Sequence, residues 1–373
     1  MRIAILSTIH GYRWAGTEEV WSQFARLALQ QGHQVLALVD AQVAEADQCQ
    51  DLITQGLKLS RRRPPAKGRW RRLLSRGAPA HRDALGFGPD ALLVNAGSPF
   101  DHWYNPTLRR LIDCFDCTKL FFCHFNSDRL PLPPASEMGS LFAPFHHHCF
   151  VSRDNLAQFE VQIGQRLPAA HVILNGSRLI LPDPLPFPTS DSLRCASVAR
   201  LEIDWKGQDL LARILSSPTW RERPVTIHCF GEGPDRERLS NLIALFQCAS
   251  TMKLAGFSRD IQSLWADHHM LLLPSRGEGT PLAMLEAMMC GRIVVATDVG
   301  GVGEILEDGI SGYIAEAPTV RSFAAAMERA WQARPLWPAM ARNAHARAKS
   351  LAGEDPPAAR LLKLVESLAN PAS

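Results

Sequence analysis

The chain has 373 residues, 46% of them apolar and 21% charged; at roughly 150 residues per domain this length favours two domains, and the composition excludes disordered, fibrous and disulfide-dense small-scaffold classes. Forty Lys and Arg against 37 Asp and Glu give a net charge of +3. That sum hides an uneven distribution: eight cations and no acid lie between Arg61 and Arg76 (Arg61, Arg62, Arg63, Lys67, Arg69, Arg71, Arg72, Arg76), which leaves 32 − 37 = −5 for the rest of the chain.

Short apolar, β-branched runs alternate with helical periodicity from end to end, the pattern of parallel sheets flanked by helices. In the first half strands are expected at Arg2–Leu6, Gln34–Val39, Ala91–Asn95, Lys119–His124, Cys149–Val151 and His171–Asn175. Between the first two, Glu18–Gln30 carries Val20, Phe24, Leu27 and Ala28 near helical spacing and stops before Gly32. From Leu181 to Ser190 four prolines in ten residues exclude helix and central strand. Residues 181–192 therefore read as a linker between an N-terminal domain over 1–180 and a C-terminal domain over 193–350. The second domain restarts with strands at Cys195–Ala199, Val225–Phe230, Met252–Ala255, Met270–Leu273 and Arg292–Ala296, with helices beginning near Gln208, Asp235, Asp260 and Pro281. Residues 351–373 are expected to form a helix that packs back on the first domain. The fold class is α/β, with two parallel-sheet domains facing across a cleft, since open α/β sheets bind ligands at the carboxyl ends of their strands.

The run Ile3–Ile9 is seven residues long and lacks a small-residue cleavage site, which suits a strand rather than a secretion signal. No run approaches the ~18 to 20 apolar residues of a membrane span. Nine cysteines, several inside apolar runs (Cys123, Cys149, Cys195, Cys229), suit buried free thiols in a reducing cytoplasm. Neither Cys114-x-x-Cys117, which has no second pair at zinc-like spacing, nor His146-His147-His148, three neighbours that cannot all face one point on a strand, is expected to hold a metal.

The most informative stretch runs from Ser275 to Met288, directly after the strand Met270–Leu273: Ser-Arg-Gly-Glu-Gly-Thr-Pro-Leu-Ala-Met-Leu-Glu-Ala-Met. Thr280 suits an N-cap and Pro281 a first helical residue, which would aim the amides of Leu282 and Ala283 at an anion in the loop around Gly279. Glu278 and Glu286 would accept hydroxyls from two parts of one ligand. Such a pair suits a phosphate joined to a sugar or ribose better than a bare phosphate. After the strand ending at Ala199, Arg200 and Lys206 flank a short loop and either converge on a diphosphate or remain solvated surface cations. Gly16, in Trp14-Ala15-Gly16-Thr17-Glu18, either admits a phosphate or makes a tight turn, and Gly231 in Gly231-Glu232-Gly233-Pro234 either lines a nucleotide base or turns the chain.

Together these residues resemble the retaining family 4 glycosyltransferases of the GT-B fold. The Glu278-x7-Glu286 pair matches the family's hallmark, followed by Gly291, Thr297-Asp298-Val299-Gly300-Gly301, and Glu304 with Asp308-Gly309-x-x-Gly312. Arg200 and Lys206 match its diphosphate-binding pair, while Gly231-x-Gly233-Pro234 and Gly256-Phe257 match strand ends that contact the base. Gly16, Gly32-His33-x-Val35 and Asn175-Gly176 fit more loosely. The resemblance covers nearly the whole chain, strongly from about Cys195 to Ile314 and weakly from Ala41 to Arg110. Two departures stand out. Ala15-Gly16 replaces the two glycines of many members, and His124 aligns with a histidine that contacts the transferred sugar but also suits a structural histidine at a strand end.

The resemblance implies two Rossmann-like domains and transfer of a sugar from a UDP- or GDP-linked donor to an acceptor hydroxyl, with retention, on a glycan or glycolipid of polysaccharide or cell-envelope biosynthesis. It implies catalytic roles for Arg200, Lys206, Glu278 and His124. Donor contacts would come from Gly16, Arg200, Lys206, Gly231, Phe257, Glu278, Gly279, Thr280, Pro281, Leu282, Ala283 and Glu286. Glu286 would hold the ribose and Glu278 the sugar hydroxyls, with no protein nucleophile, no metal and no cofactor. A GT-B epimerase and a non-catalytic nucleotide-sugar-binding subunit remain as alternatives.

The basic segment holds Trp70, Leu73 and Leu74 among its cations, so a helix from about Gly68 would suit an anionic bilayer, an acidic glycan or a lipid diphosphate, whereas Pro64-Pro65 suits a mobile loop. No RNA- or DNA-binding module surrounds it, and no nucleic-acid partner is expected. The expected location is cytoplasmic, peripheral on the inner membrane face if the segment binds lipid.

Overall fold

The computed structural model describes residues 1–62, 79–176, 179–190, 192–353 and 356–369. The helix expected from Gly68 and the cations Arg63–Arg76 lie outside the described residues. The chain forms two units, Met1–Asn175 with Asp355–Ser373, and Gly176–Glu354.

In the first unit seven parallel strands, β1 (Arg2–Ser7), β2 (Gln34–Asp40), β3 (Lys58–Arg62), β4 (Ala91–Ala96), β5 (Thr118–Cys123), β6 (His147–Phe150) and β7 (His171–Val172), lie in the order β3-β2-β1-β4-β5-β6-β7. The sheet is apolar on both faces because helices cover both. Ile3 and Ile5 of β1 join Val20, Trp21 and Phe24 of the helix Gly16–Gln30 in one core, while Ala4 and Leu6 join Phe87, Phe100 and Phe121 in the other. The C-terminal helix Pro357–Ala369 contributes Leu361, Leu362 and Val365 to the first of these cores.

Strand β3 has no counterpart among the expected strands. Among the described residues it is an edge strand paired only with β2, and its Lys-Leu-Ser-Arg-Arg sequence lacks an apolar run. Its last residue corrects the reading of the basic segment: Arg62 is 5% exposed, donates to the Ile9 carbonyl at 2.8 Å and is pushed down to about 10 by burial. It is an interior group and not part of a solvated cationic face.

The second unit holds six parallel strands, β8 (Leu193–Val198), β9 (Val225–Phe230), β10 (Met252–Gly256), β11 (Met270–Leu273), β12 (Ile293–Thr297) and β13 (Gly312–Ala315), in the order β10-β9-β8-β11-β12-β13. The short β13 is likewise absent from the expected strands. The proline-rich segment expected as a linker is bonded to this unit along its length. Leu185 N–H donates to the Cys290 carbonyl at 3.2 Å, and Lys349 Nζ donates to the Pro182 carbonyl at 2.9 Å. Arg292 donates to the carbonyls of Leu185 and Pro186 at 3.3 and 2.8 Å. Prolines offer acceptors but no N–H, so side-chain donors take the place of a strand partner.

Candidate functional site

The loops after β8, β9 and β11 meet at the carboxyl edge of the second sheet, where the order reverses between β8 and β11. This is the topological switch point at which open α/β sheets take ligands. Glycines permit the contact. Gly231, at φ +133°, would put a Cβ 2.1 Å from the Ala199 carbonyl oxygen, and Gly233 one 2.3 Å from that of Leu201. Gly207 ends the short helix Ile203–Lys206 at φ +65°, where a Cβ would lie 1.9 Å from the Pro274 oxygen. Backbone therefore touches backbone on both sides of Lys206.

Across that contact Lys206 Nζ lies 2.7 Å from Glu278 Oε1, and Ser275 Oγ donates to the same oxygen at 2.7 Å. The Lys206 side chain is 23% exposed and that of Glu278 only 7%, so the cation is the more accessible member of the pair. Arg200 Nη2 pairs with Glu202 Oε2 at 2.8 Å. The turn after β12 holds the Glu278 loop from its other side: Gly301 N–H donates to the Gly279 carbonyl at 2.7 Å, and Gly300, at φ +56°, would place a Cβ 2.2 Å from the Glu278 oxygen.

The next helix, Leu282–Met289, starts one residue later than expected, with Pro281 rather than Thr280 at the N-cap. Pro281 has ψ 105°, outside the helical range, and its carbonyl accepts the amides of Met284 and Leu285 at 3.1 and 3.4 Å, as an N-cap carbonyl does. Thr280 is buried beside it. Leu282 and Ala283 still supply the first amides, which lack acceptors within the helix. Glu286 is half-buried in the same helix, and Phe257, after β10, is 71% exposed.

His124 and Gly16 belong to the first unit, and Asn95 joins them. Its Nδ2 donates to the Thr17 carbonyl at 3.2 Å, which leaves Oδ1 to accept from His124 Nε2 at 2.8 Å. That bond places a proton on Nε2, and burial keeps the ring neutral, which leaves Nδ1 as an acceptor. That atom is buried and has no hydrogen-bond partner among the described residues. Glu18, in the first turn of the helix that Gly16 opens, is also buried. Desolvation raises its pKa against hydrogen bonds from Ser7, Thr17 and Trp21. The sequence reading identified neither Asn95 nor Glu18, nor Glu202, Ser275 and Asp209 in the second unit.

Burial pushes His124 down to about 3 from the usual 6.5. Such a group takes its proton only on unfolding, so its contribution is complete above pH 6.5 and is lost as pH falls toward 3. At 1.36 kcal/mol per unit, stability at pH 5 should be about 2 kcal/mol below that at pH 8 on this account alone. Thermal unfolding of wild type and His124→Asn at both pH values checks it. Equal pH dependence in the two proteins would refute the buried neutral imidazole.

Residues 193–333 match the family described as Glycosyl transferases group 1. The glycogen synthase of Pseudomonas syringae pv. syringae is 30% identical over 137 residues, 37% of this chain and 28% of that protein. A phosphatidylinositol N-acetylglucosaminyltransferase subunit of Homo sapiens is 32% identical over 149 residues, 39% of this chain and 30% of that protein. The matched region thus spans under a third of either relative. Among solved structures, Anabaena HepE in complex with UDP gives a TM-score of 0.76 at 18% identity, covering 98% of this chain and 100% of that one. Sucrose-phosphate synthase of Thermosynechococcus elongatus gives 0.76 at 14%, covering 100% of both. The architecture is the GT-B fold, and the part of the chain similar to glycosyl transferases group 1, residues 193–333, lies in its second unit. Among the described residues no helix is long and apolar enough to cross a membrane.

Proposed function

We propose that the chain is a retaining glycosyltransferase that moves a sugar from a UDP- or GDP-linked donor to a hydroxyl of a glycan or glycolipid, without metal or cofactor. The observation that carries this reading is the Lys206–Glu278 pair at 2.7 Å, beside the N-terminus of Leu282–Met289 at the switch point of the second sheet. The names of the relatives and the UDP complex of HepE support it.

In this reading Lys206, Arg200 and the amides of Leu282 and Ala283 receive the departing diphosphate, while Glu286 holds the ribose and Glu278 the hydroxyls of the transferred sugar. Phe257 and Gly231 lie on the base side. The anomeric C–O bond to the diphosphate breaks, the acceptor oxygen bonds the same face, and its proton passes to the leaving phosphate. The cations between Arg63 and Arg76 are candidates for an anionic acceptor or membrane surface.

Incubating the protein with UDP- and GDP-sugars and a panel of glycan and glycolipid acceptors, with phosphate release and the product's anomeric proton followed by NMR, tests the proposal. Nucleotide release with the donor's anomeric configuration preserved is expected. An inverted product would overturn retention, and release from no donor would overturn the transferase reading.

A further inference from the structure

Arg276 takes no part in the proposed chemistry, yet it makes four hydrogen bonds across the site. Its amide donates to the Trp205 carbonyl at 2.7 Å and its Nη1 to the Ile203 carbonyl at 2.7 Å. Nη1 and Nη2 grip the two oxygens of Asp209 at 2.8 Å each. Each of these partners lies between Ile203 and Asp209, on both sides of Lys206, while Arg276 itself stands two residues before Glu278. Both side chains of the ion pair are 17% exposed, and the hydrogen bonds that Arg276 donates to Asp209 raise its pKa, so the charge persists.

The geometry matters because the direct tie between the two loops, in the transferase reading, is exposed to competition from the donor. Lys206 holds Glu278, but a diphosphate would compete for the same Nζ. What remains then is the ligand-independent contact: the Arg276 fork, its amide, and the approach of Gly207 to Pro274. Ser275 Oγ keeps its bond to Glu278 within the loop. A fork that bonds two carboxylate oxygens and a carbonyl in one plane fixes position and angle together, which a lysine at the same place does not. A half-buried pair of this kind contributes little to stability by itself, whereas a misplacement of ~1 Å at a reacting centre costs ~10²-fold in rate.

We propose that Arg276 and Asp209 are positioning residues that hold Lys206 and Glu278 in register while the donor diphosphate engages Lys206. This rests on the transferase reading above. The test uses Arg276→Lys and Asp209→Asn in the full chain, each alone and combined with Lys206→Ala. Kinetic constants per folded molecule, the dissociation constant for UDP or GDP and the thermal midpoint are measured for each. In the single variants kcat should fall about 10-fold or more with donor KM and nucleotide affinity changed less than about threefold. In the Lys206→Ala background the same substitutions should have almost no further effect, because the register they maintain no longer serves a cation.

A kcat above half of wild type in the single variants, or an equal fold-loss with and without Lys206, overturns the proposal, since an effect that does not run through Lys206 is the same in both backgrounds. If Arg276→Lys does not fold, Asp209→Asn, which keeps the shape of the side chain, decides. A wild type that binds neither UDP nor GDP and turns over no nucleotide sugar overturns the transferase reading and this proposal with it. An active wild type with unaffected variants overturns this proposal alone.

Discussion

Lys206→Ala is expected to lower turnover of the nucleotide-sugar donor about 100-fold or more, the loss typical of removing one preorganised electrostatic donor from a developing anion. Its effect has two parts that a single variant does not separate. The ammonium is the counter-charge proposed for the leaving diphosphate, and it is also the cation paired with a Glu278 side chain that is only 7% exposed. Removing it leaves that carboxylate with Ser275 Oγ but without the Lys206 charge, a situation that typically costs several kcal/mol. Glu278→Gln keeps the shape of the side chain and an acceptor for Ser275 while removing the charge. The double variant Lys206→Ala/Glu278→Gln should therefore recover most of the lost thermal midpoint and none of the turnover. Single-turnover rates and thermal unfolding of the three proteins check this. More than about a tenth of wild-type turnover in Lys206→Ala would sink the electrostatic role.

The positions of Arg200, Lys206 and Glu278 were legible because each follows a strong strand signal. β8 and β11 lie side by side, and the loops that leave them must share one edge of the sheet. The bonds that hold these groups were not legible. Asp209 and Arg276 are 67 residues apart, and nothing local to either pairs them before the fold is known. Glu18 illustrates the same gap. An acid in the first turn of a helix ordinarily reads as a solvated complement to the helix dipole, yet here the residue is 0% exposed and bonded to Ser7 of the neighbouring strand.

Strands bounded on both faces by helices, such as β1 and β11, carry continuous apolar runs and were readable to within a residue or two. The edge strand β3 and the four-residue β13 carry too little apolar sequence to separate from turns. At Thr280-Pro281 the N-cap preference for threonine and the first-turn preference for proline point to a helix starting at Pro281. Pro281 instead has a ψ of 105° and is itself the N-cap, which moves the boundary by one residue.

Arg292→Met should lower stability by about 3 to 5 kcal/mol. Arg292 is 0% exposed, and its partners are all carbonyls: Nε donates to Trp265 at 2.6 Å, Nη1 to Gly291 at 3.0 Å and to Leu185 at 3.3 Å, and Nη2 to Pro186 at 2.8 Å. Burial pushes its pKa down to about 10, which still leaves it protonated at neutral pH. Methionine fills much of the volume but donates nothing, so carbonyls whose partners were charged donors are left in the interior, at roughly 1 to 3 kcal/mol each before relaxation. At about 2 to 4 °C per kcal/mol for a unit of this size, the thermal midpoint should fall by about 10 °C. Because two of the acceptors belong to the proline-rich stretch, the variant should also become sensitive to proteolysis around Pro182–Phe187, while nucleotide affinity per folded molecule is unchanged. Arg292→Lys, which keeps the charge and loses the fork, should fall between the two. A midpoint within about 2 °C of wild type would mean that the stretch is held by Lys349, His345 and the Leu185 amide instead, and that the buried guanidinium is dispensable to the second unit.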